Sequence, residues 1–388
     1  MRLTKGITTR ALATTAAAGL ATALAVPAAL AAADQPASTP APAGDEVVIG
    51  WINPLSGSAA TFGELSRDAI EIALEEINAD GGVLGAPLRV EYQDNEFRTD
   101  QSVTAAEQLA DSGVRIIITA GSAVVFALDP VAERRDLLLA NVGAQSPELV
   151  ETASTYSFIP MSSAEVTRLA ELATERLGAE SVAIVNVDND YGEDSADAFQ
   201  AAFEELGGEV VAREIHDVGA TDMRTQLIKV REAQPDAVLI ASNVAEVGHV
   251  ARQARELGIE AELLGITFAL SPDNFEIAGD AMNGMHGVAV TFREDTSEQS
   301  AAFAEAYEAV AGTAPTVYAA TSYDAVHILA DAIEEVGSDD PAAVAEYLMA
   351  LEDYPGVLGP TTFTEERAVD IPIFEWAIVD GEIEPWEE

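Results

Sequence analysis

The chain has 388 residues, no cysteine, 19 basic against 67 acidic side chains, and a formal net charge of −48. That length suits two domains better than one core. The missing thiols exclude disulfides, thiol catalysis and thiolate metal sites, and so acidic a surface repels nucleic acid and anionic lipid.

Residues 1–33 differ from everything after them. Arg2, Lys5 and Arg10 give a basic start, an Ala/Leu-rich run follows, and small residues close it at Ala29-Leu30-Ala31 and Ala31-Ala32-Ala33. This is the pattern of a secretory signal peptide; the small-residue exit and the weak hydrophobicity of alanine speak against an uncleaved anchor. No later segment is long and apolar enough to span a bilayer. With three basic and no acidic residues in it, loss of this segment takes the charge from −48 to −51. No cysteine is present for lipid attachment, so a free monomer is expected in the periplasm or outer cell envelope. Lysine occurs only at Lys5 and Lys229. That fits a salt-rich habitat, where counter-ions screen self-repulsion, and equally a GC-rich genome that favours Arg and Ala. Residues 34–46 form a Pro/Ala-rich spacer without period, expected to be disordered.

From Val47 onward strand-like and helix-like runs alternate. VVIGWI (47–52) reads as a strand. Glu64–Asp80 carries a helical stripe at Leu65, Ala69, Ile70, Ala73, Leu74 and Ile77, ended by Gly81-Gly82. Strand PLRVEYQD, helix Gln101–Asp111, strand VRIIIT, helix Ala123–Arg135 and strand LLLANV follow. Pro130 inside that last helix predicts a kink or a broken turn. A second series opens at Ser162, where Ser162-x-x-Glu165 reads as a capping box for helix Ser163–Leu177. It continues with SVAIVNV, helix Glu193–Leu206, GEVVARE, helix Arg224–Ala233, DAVLIAS, helix Ala245–Leu257 and ELLGI. The tail adds GVAVTF, helices Glu298–Val310, Tyr318–Glu335 and Pro341–Leu351, and IFEWAIV. Two βα series predict two α/β domains, each a parallel sheet with helices on both faces.

Enzyme signatures are absent. His216, His249, His286 and His327 lie far apart and form no HExxH or close metal pair. There is no Walker A loop, no GxGxxG after a strand and no GxSxG elbow, and no cofactor is indicated. DNDYGED (188–194) misses the EF-hand spacing and reads better as a loop opening a helix, with Glu193 and Asp194 near its positive end. The informative loops are those after each strand, where open parallel sheets bind ligands. Ser122 ends the run RIIITAGS (115–122) at a strand-to-helix corner. It either caps its own helix or offers a hydroxyl and a backbone N–H to an anion.

Taken together, VVIGWINPLSGSAATFGE, ALEEINADGGVLGAPLRVEYQDN, VAIVNVDNDYGEDSADAFQAAFEELGGEVV, PDAVLIASNVAEVGHVARQARELGI, YAATSYDAVHILADAI and GVLGPTTFTEE resemble the type I periplasmic binding proteins of ABC importers, leucine/isoleucine/valine-binding branch. The resemblance covers Val47 to Trp386. It implies two Rossmann-like lobes joined by a three-crossover hinge, residues 47–162 with 292–366 and residues 163–291 with 367–388. The implied function is non-catalytic capture of a small carboxylate-bearing solute by lobe closure, for delivery to the permease subunits of an importer. A sensor domain reporting to a membrane partner is the alternative on the same fold. By position, the resemblance implies that Ser122 holds the carboxylate and that the loop Gly143, Ala144, Gln145 supplies a carbonyl for an ammonium. Phe62 would line the side-chain pocket, with Tyr191, Asn243 and Thr267 approaching from the second lobe. Two departures stand out: the family's ammonium-binding glutamate is Thr267 here, and a ligand-facing tyrosine is Asn243. An unpartnered buried ammonium costs several kcal/mol. Either another acid replaces the glutamate, or the ligand is an organic acid, aromatic acid or amide without an α-ammonium.

Overall fold

The computed structural model describes residues 46–57 and 59–386; the expected signal peptide and nearly all of the spacer lie outside the described residues. The first half comprises β1 (Val47–Asn53), α1 (Ala60–Ala79), β2 (Leu88–Asp94), α2 (Thr99–Asp111), β3 (Ile116–Thr119), α3 (Ser122–Arg135), β4 (Leu138–Asn141) and β5 (Thr155–Ser157). The second comprises α4 (Ser162–Glu175), β6 (Ser181–Val187), α5 (Asp190–Glu205), β7 (Glu209–His216), α6 (Arg224–Ala233), β8 (Ala237–Ala241), α7 (Val244–Glu256), β9 (Glu262–Gly265), α8 (Pro272–Ala278) and β10 (Met285–Ala289). The chain then adds α9 (Glu298–Ala311), α10 (Val317–Val336), α11 (Pro341–Met349), β11 (Tyr354–Gly356), β12 (Gly359–Phe363) and β13 (Val369–Asp370). It ends with β14 (Phe374–Val379) and β15 (Glu382–Pro385).

Continuous apolar strands make sense only if both faces are covered, and they are. In β1 and β3, Ile49, Trp51, Ile116 and Ile118 point into a core shared with α1, α9 and α10. Their neighbours Ile52 and Ile117 point the other way, against Leu109 of α2 and Leu128 of α3. This is the period-two alternation of a pleated strand. The five strands run parallel in the order β2-β1-β3-β4-β5. In the second sheet, β15-β14-β10-β9-β8-β6-β7, only β14 is reversed, pairing antiparallel with both β10 and β15. Its faces pack on α6 and α7 through Leu227, Val230, Val247 and Val250, and on α4 and α5 through Val166, Leu169, Phe199 and Phe203. A small antiparallel sheet joins β11, β12 and β13.

The chain passes between the two halves three times: after β5, after β10 and after β13. Residues 298–349 thereby return to cover the first sheet, and β14 and β15 return to extend the second. Two local expectations differ from the outcome. Pro130 lies inside α3, which runs unbroken from Ser122 to Arg135. The capping box does not form: Met161 occupies the cap position of α4, the Ser162 hydroxyl meets that of Ser195 at 2.7 Å, and Glu165 turns inward.

Candidate functional site

A parallel sheet leaves a crevice where its strand order reverses, because the loops on either side leave in opposite directions. The reversal lies between β1 and β3 in the first sheet and between β6 and β8 in the second. Loops from these regions face one another around a cavity of about 340 Å³. The first half lines it with Ser122, Gly143, Ala144 and Gln145; the second contributes Tyr191 and Asn243. Six of the eight sequence candidates thus meet in one space. A larger hollow, about 540 Å³, opens beside α1 and the amino end of β2, away from the carboxyl ends of the strands, with Glu71 and Glu75 in its wall.

Ser122 is the first helical residue of α3, and Gly121 before it occupies the cap position. The serine therefore does not cap its own helix. The first N–H bonded back into the helix is that of Val125, to the Gly121 carbonyl, so the N–H groups of residues 122–124 precede the intrahelical ladder. Together with the hydroxyl they form a cradle for negative charge at the positive end of the helix. Gly121 has φ +87, and a Cβ there would lie 2.6 Å from the Phe97 ring. Glycine is what lets Phe97 close over the corner; Phe97 itself lines the cavity.

Asn141, the last residue of β4, shapes the neighbouring loop. Its Oδ1 accepts from the N–H groups of Gly143 (3.2 Å) and Ala144 (2.7 Å), and its Nδ2 donates to the Ala144 carbonyl at 2.7 Å. Those groups are occupied, which leaves the Gly143 carbonyl as the loop's acceptor. Phe62 does not line the cavity. It lies behind Gly143, 2.9 Å from where a Cβ would stand, with its ring edge-on to Tyr318 at 5.0 Å.

On the other side, Tyr191 packs on Phe268 with ring centroids 5.0 Å apart. Burial, with the nearby Glu165 and Tyr318, raises the Tyr191 phenol well above its ordinary range, so it is a neutral donor. Asn243 accepts from Asn189 at 3.3 Å, and Asn189 caps α5 through Gly192. Thr267 does not line the cavity; its hydroxyl donates to Glu165 at 2.8 Å. The sequence marks Glu165 only as a capping-box acid and Asn141 only as a strand end, because burial of the carboxylate and the loop-shaping bonds of the amide leave no local pattern. Asp190 also lines the cavity and is the one acidic or basic side chain in its wall among the described residues.

The chain is similar to known proteins in both sequence and fold. The family model described as periplasmic binding protein matches residues 46–379. The leucine-, isoleucine-, valine-, threonine- and alanine-binding protein of Pseudomonas aeruginosa is 27% identical over 341 residues, 86% of this chain and 91% of that protein. A leucine-binding protein from Thermotoga maritima superposes with a TM-score of 0.79 at 26% identity, covering 88% of this chain and 98% of the other. An ABC transporter substrate-binding protein from Desulfitobacterium hafniense, solved with leucine, gives 0.73 at 26% identity over 88% and 100%. With its two doubly wound halves and three crossings, the chain belongs to the periplasmic binding protein family, in the leucine/isoleucine/valine-binding-like branch.

Proposed function

We propose that this protein is the exported solute-binding component of an ABC importer, capturing a small carboxylate-bearing ligand by closure of two lobes and performing no chemistry on it. The lobes are residues 47–162 with 292–366 and residues 163–291 with 367–388, and the closed pair is what the permease subunits recognise. The observation that carries the reading is Ser122 at the start of α3, facing Tyr191 and Asn243 across the cavity. The ligand carboxylate rests on the Ser122 hydroxyl and the first N–H groups of α3. The Gly143 carbonyl and the Asp190 carboxylate take an ammonium where the ligand has one, in place of the absent glutamate. Branched-chain amino acids are the first candidates, since the relatives' names include them; related organic acids, aromatic acids and amides form the second group.

The test is a thermal-shift screen of amino acids, keto acids, aromatic acids and amides in high salt. A ligand at 100 times its dissociation constant should stabilise the fold by about 2.7 kcal/mol. Ser122→Ala should lose the shift for every carboxylate. A variant that responds as wild type does would place the carboxylate elsewhere.

A further inference from the structure

Beside the cavity, at the first crossing between the halves, lies a carboxylate that the ligand contacts do not use. Glu165, on the first turn of α4, is fully buried. Its Oε1 accepts from Gln145 Nε2 and from the Thr267 hydroxyl, both at 2.8 Å. Its Oε2 accepts from the Thr267 backbone N–H at 3.0 Å. The Thr267 hydroxyl itself accepts from the Val290 N–H at 3.0 Å, so its one proton is committed to Glu165. Gln145 Nε2 also donates to the Pro160 carbonyl at 3.2 Å. Two acceptors therefore hold the amide one way round, and its Oε1 faces elsewhere, with no partner among the described residues.

Both oxygens of Glu165 thus meet hydrogens only. Three donors converge on its two oxygens and favour the ionised form. Burial opposes it, pushing the carboxyl up to about 6, while the Thr267 and Gln145 bonds pull it down. The groups facing it from other elements are the phenols of Tyr191 on α5 and Tyr318 on α10, both kept neutral by burial. On α4 itself, Arg168 is engaged by Glu375 and Glu171.

The tethered groups belong to opposite walls of the cavity. Gln145 lines it from the first half, and Thr267 opens the turn whose next residue, Phe268, lines it from the second. We propose that Glu165 is the positioning residue of the ligand site: its ionised carboxylate holds Gln145 of one half and the Thr267–Phe268 turn of the other in the arrangement that binds. This rests on the solute-binding reading above and adds a pH dependence to it. Protonation of Glu165 releases both walls, and by reciprocity bound ligand favours the ionised form.

Titration calorimetry between pH 5 and 8 tests it, using the tightest binder among L-leucine, L-valine, 4-methyl-2-oxopentanoate and benzoate. Wild type should bind about tenfold or more weakly at pH 5 than at pH 7.5. Glu165→Gln sets an amide donor against donors; it should bind about tenfold more weakly at pH 7.5 and lose most of the pH course. The carboxyls of Asp194 and Glu148 are also pushed up, the first chiefly by burial and the second chiefly by the charge of Asp194, and their share of the course survives in that variant. Thr267→Val keeps the backbone donor and removes the hydroxyl; it should move the inflection to higher pH, and it serves if Glu165→Gln fails to fold. If Glu165→Gln changes the melting temperature but leaves Kd and its pH course as in wild type, the residue is only structural and the inference falls. A flat wild-type course overturns this inference alone, whereas no binding of any panel member overturns the solute-binding reading with it.

Discussion

A buried acid has a different consequence at Asp324. This α10 residue is nearly inaccessible, and it accepts from the backbone N–H groups of Val357 (2.9 Å) and Leu358 (3.4 Å). It pins the segment between β11 and β12 onto the helix. Burial pushes its carboxyl from 3.8 up to about 7, against the pull of those two N–H groups. The folded chain therefore retains a proton that the unfolded chain releases. Because the folded value is the higher one, stability falls as pH rises from about 4 to about 7, by up to ~4 kcal/mol for this group. Asp324→Asn cannot ionise. Urea unfolding from pH 4.5 to 7.5 should show a shallower decline in the variant, and parallel wild-type and variant curves would refute the account. Glu165 adds to the same slope from about 4.5 to 6, so the charge that the ligand site uses is one that the fold resists.

At the scale of elements, the first and third crossings are held together by charge. Glu375 of β14 accepts from Arg168 Nε (2.8 Å) and Nη2 (2.7 Å) on one oxygen and from Arg176 Nη2 (2.7 Å) on the other. Both arginines stand on or just after α4, and Arg176 also lies over the Trp386 ring at 5.2 Å. The three side chains are only partly exposed, so the pairing is worth more than a free surface bridge. Glu375→Gln should lower unfolding stability by about 1–2 kcal/mol in low salt, with the deficit shrinking as salt is added. An unchanged urea midpoint would show that the cluster contributes nothing. Elements of this length were also what the sequence disclosed best. The stripe of α1 and the helices α9 and α11 follow from periodicity, since each buries one face, whereas β3, β6, β8 and α10 follow from continuous apolar runs that are buried on nearly all sides. Residue pairs β13 and the three-residue strands β5 and β11 are set by neighbours distant in sequence and carry no period. The site divides the same way. Ser122 was legible because a hydroxyl after an apolar run marks a corner. The displacement of Phe62 behind Gly143 and the turning of Glu165 towards Thr267 depend on packing between elements distant in sequence, which no local pattern records.

For the whole molecule, the excess of acid is the dominant long-range term. Few of the carboxylates can be paired, because 67 acidic side chains face 19 basic ones. Mutual repulsion should weaken the compact state at low ionic strength. Raising potassium chloride from about 0.1 M to 1 M shortens the screening length from about 10 Å to about 3 Å, and the melting temperature should climb across that range. A flat or falling profile would count against a salt-rich habitat and leave nucleotide composition as a sufficient reason for the scarcity of lysine. The interleaved connectivity has a further effect, on the order in which the chain can fold. A nascent chain that ends before residue 317 lacks α10, whose Ile328, Leu329 and Ile333 seal the first sheet. One that ends before 374 lacks β14 and the Trp376 ring that fills the second. Neither half can complete its interior until the final stretch of polypeptide is available, which keeps the growing chain from closing either core until synthesis is almost over.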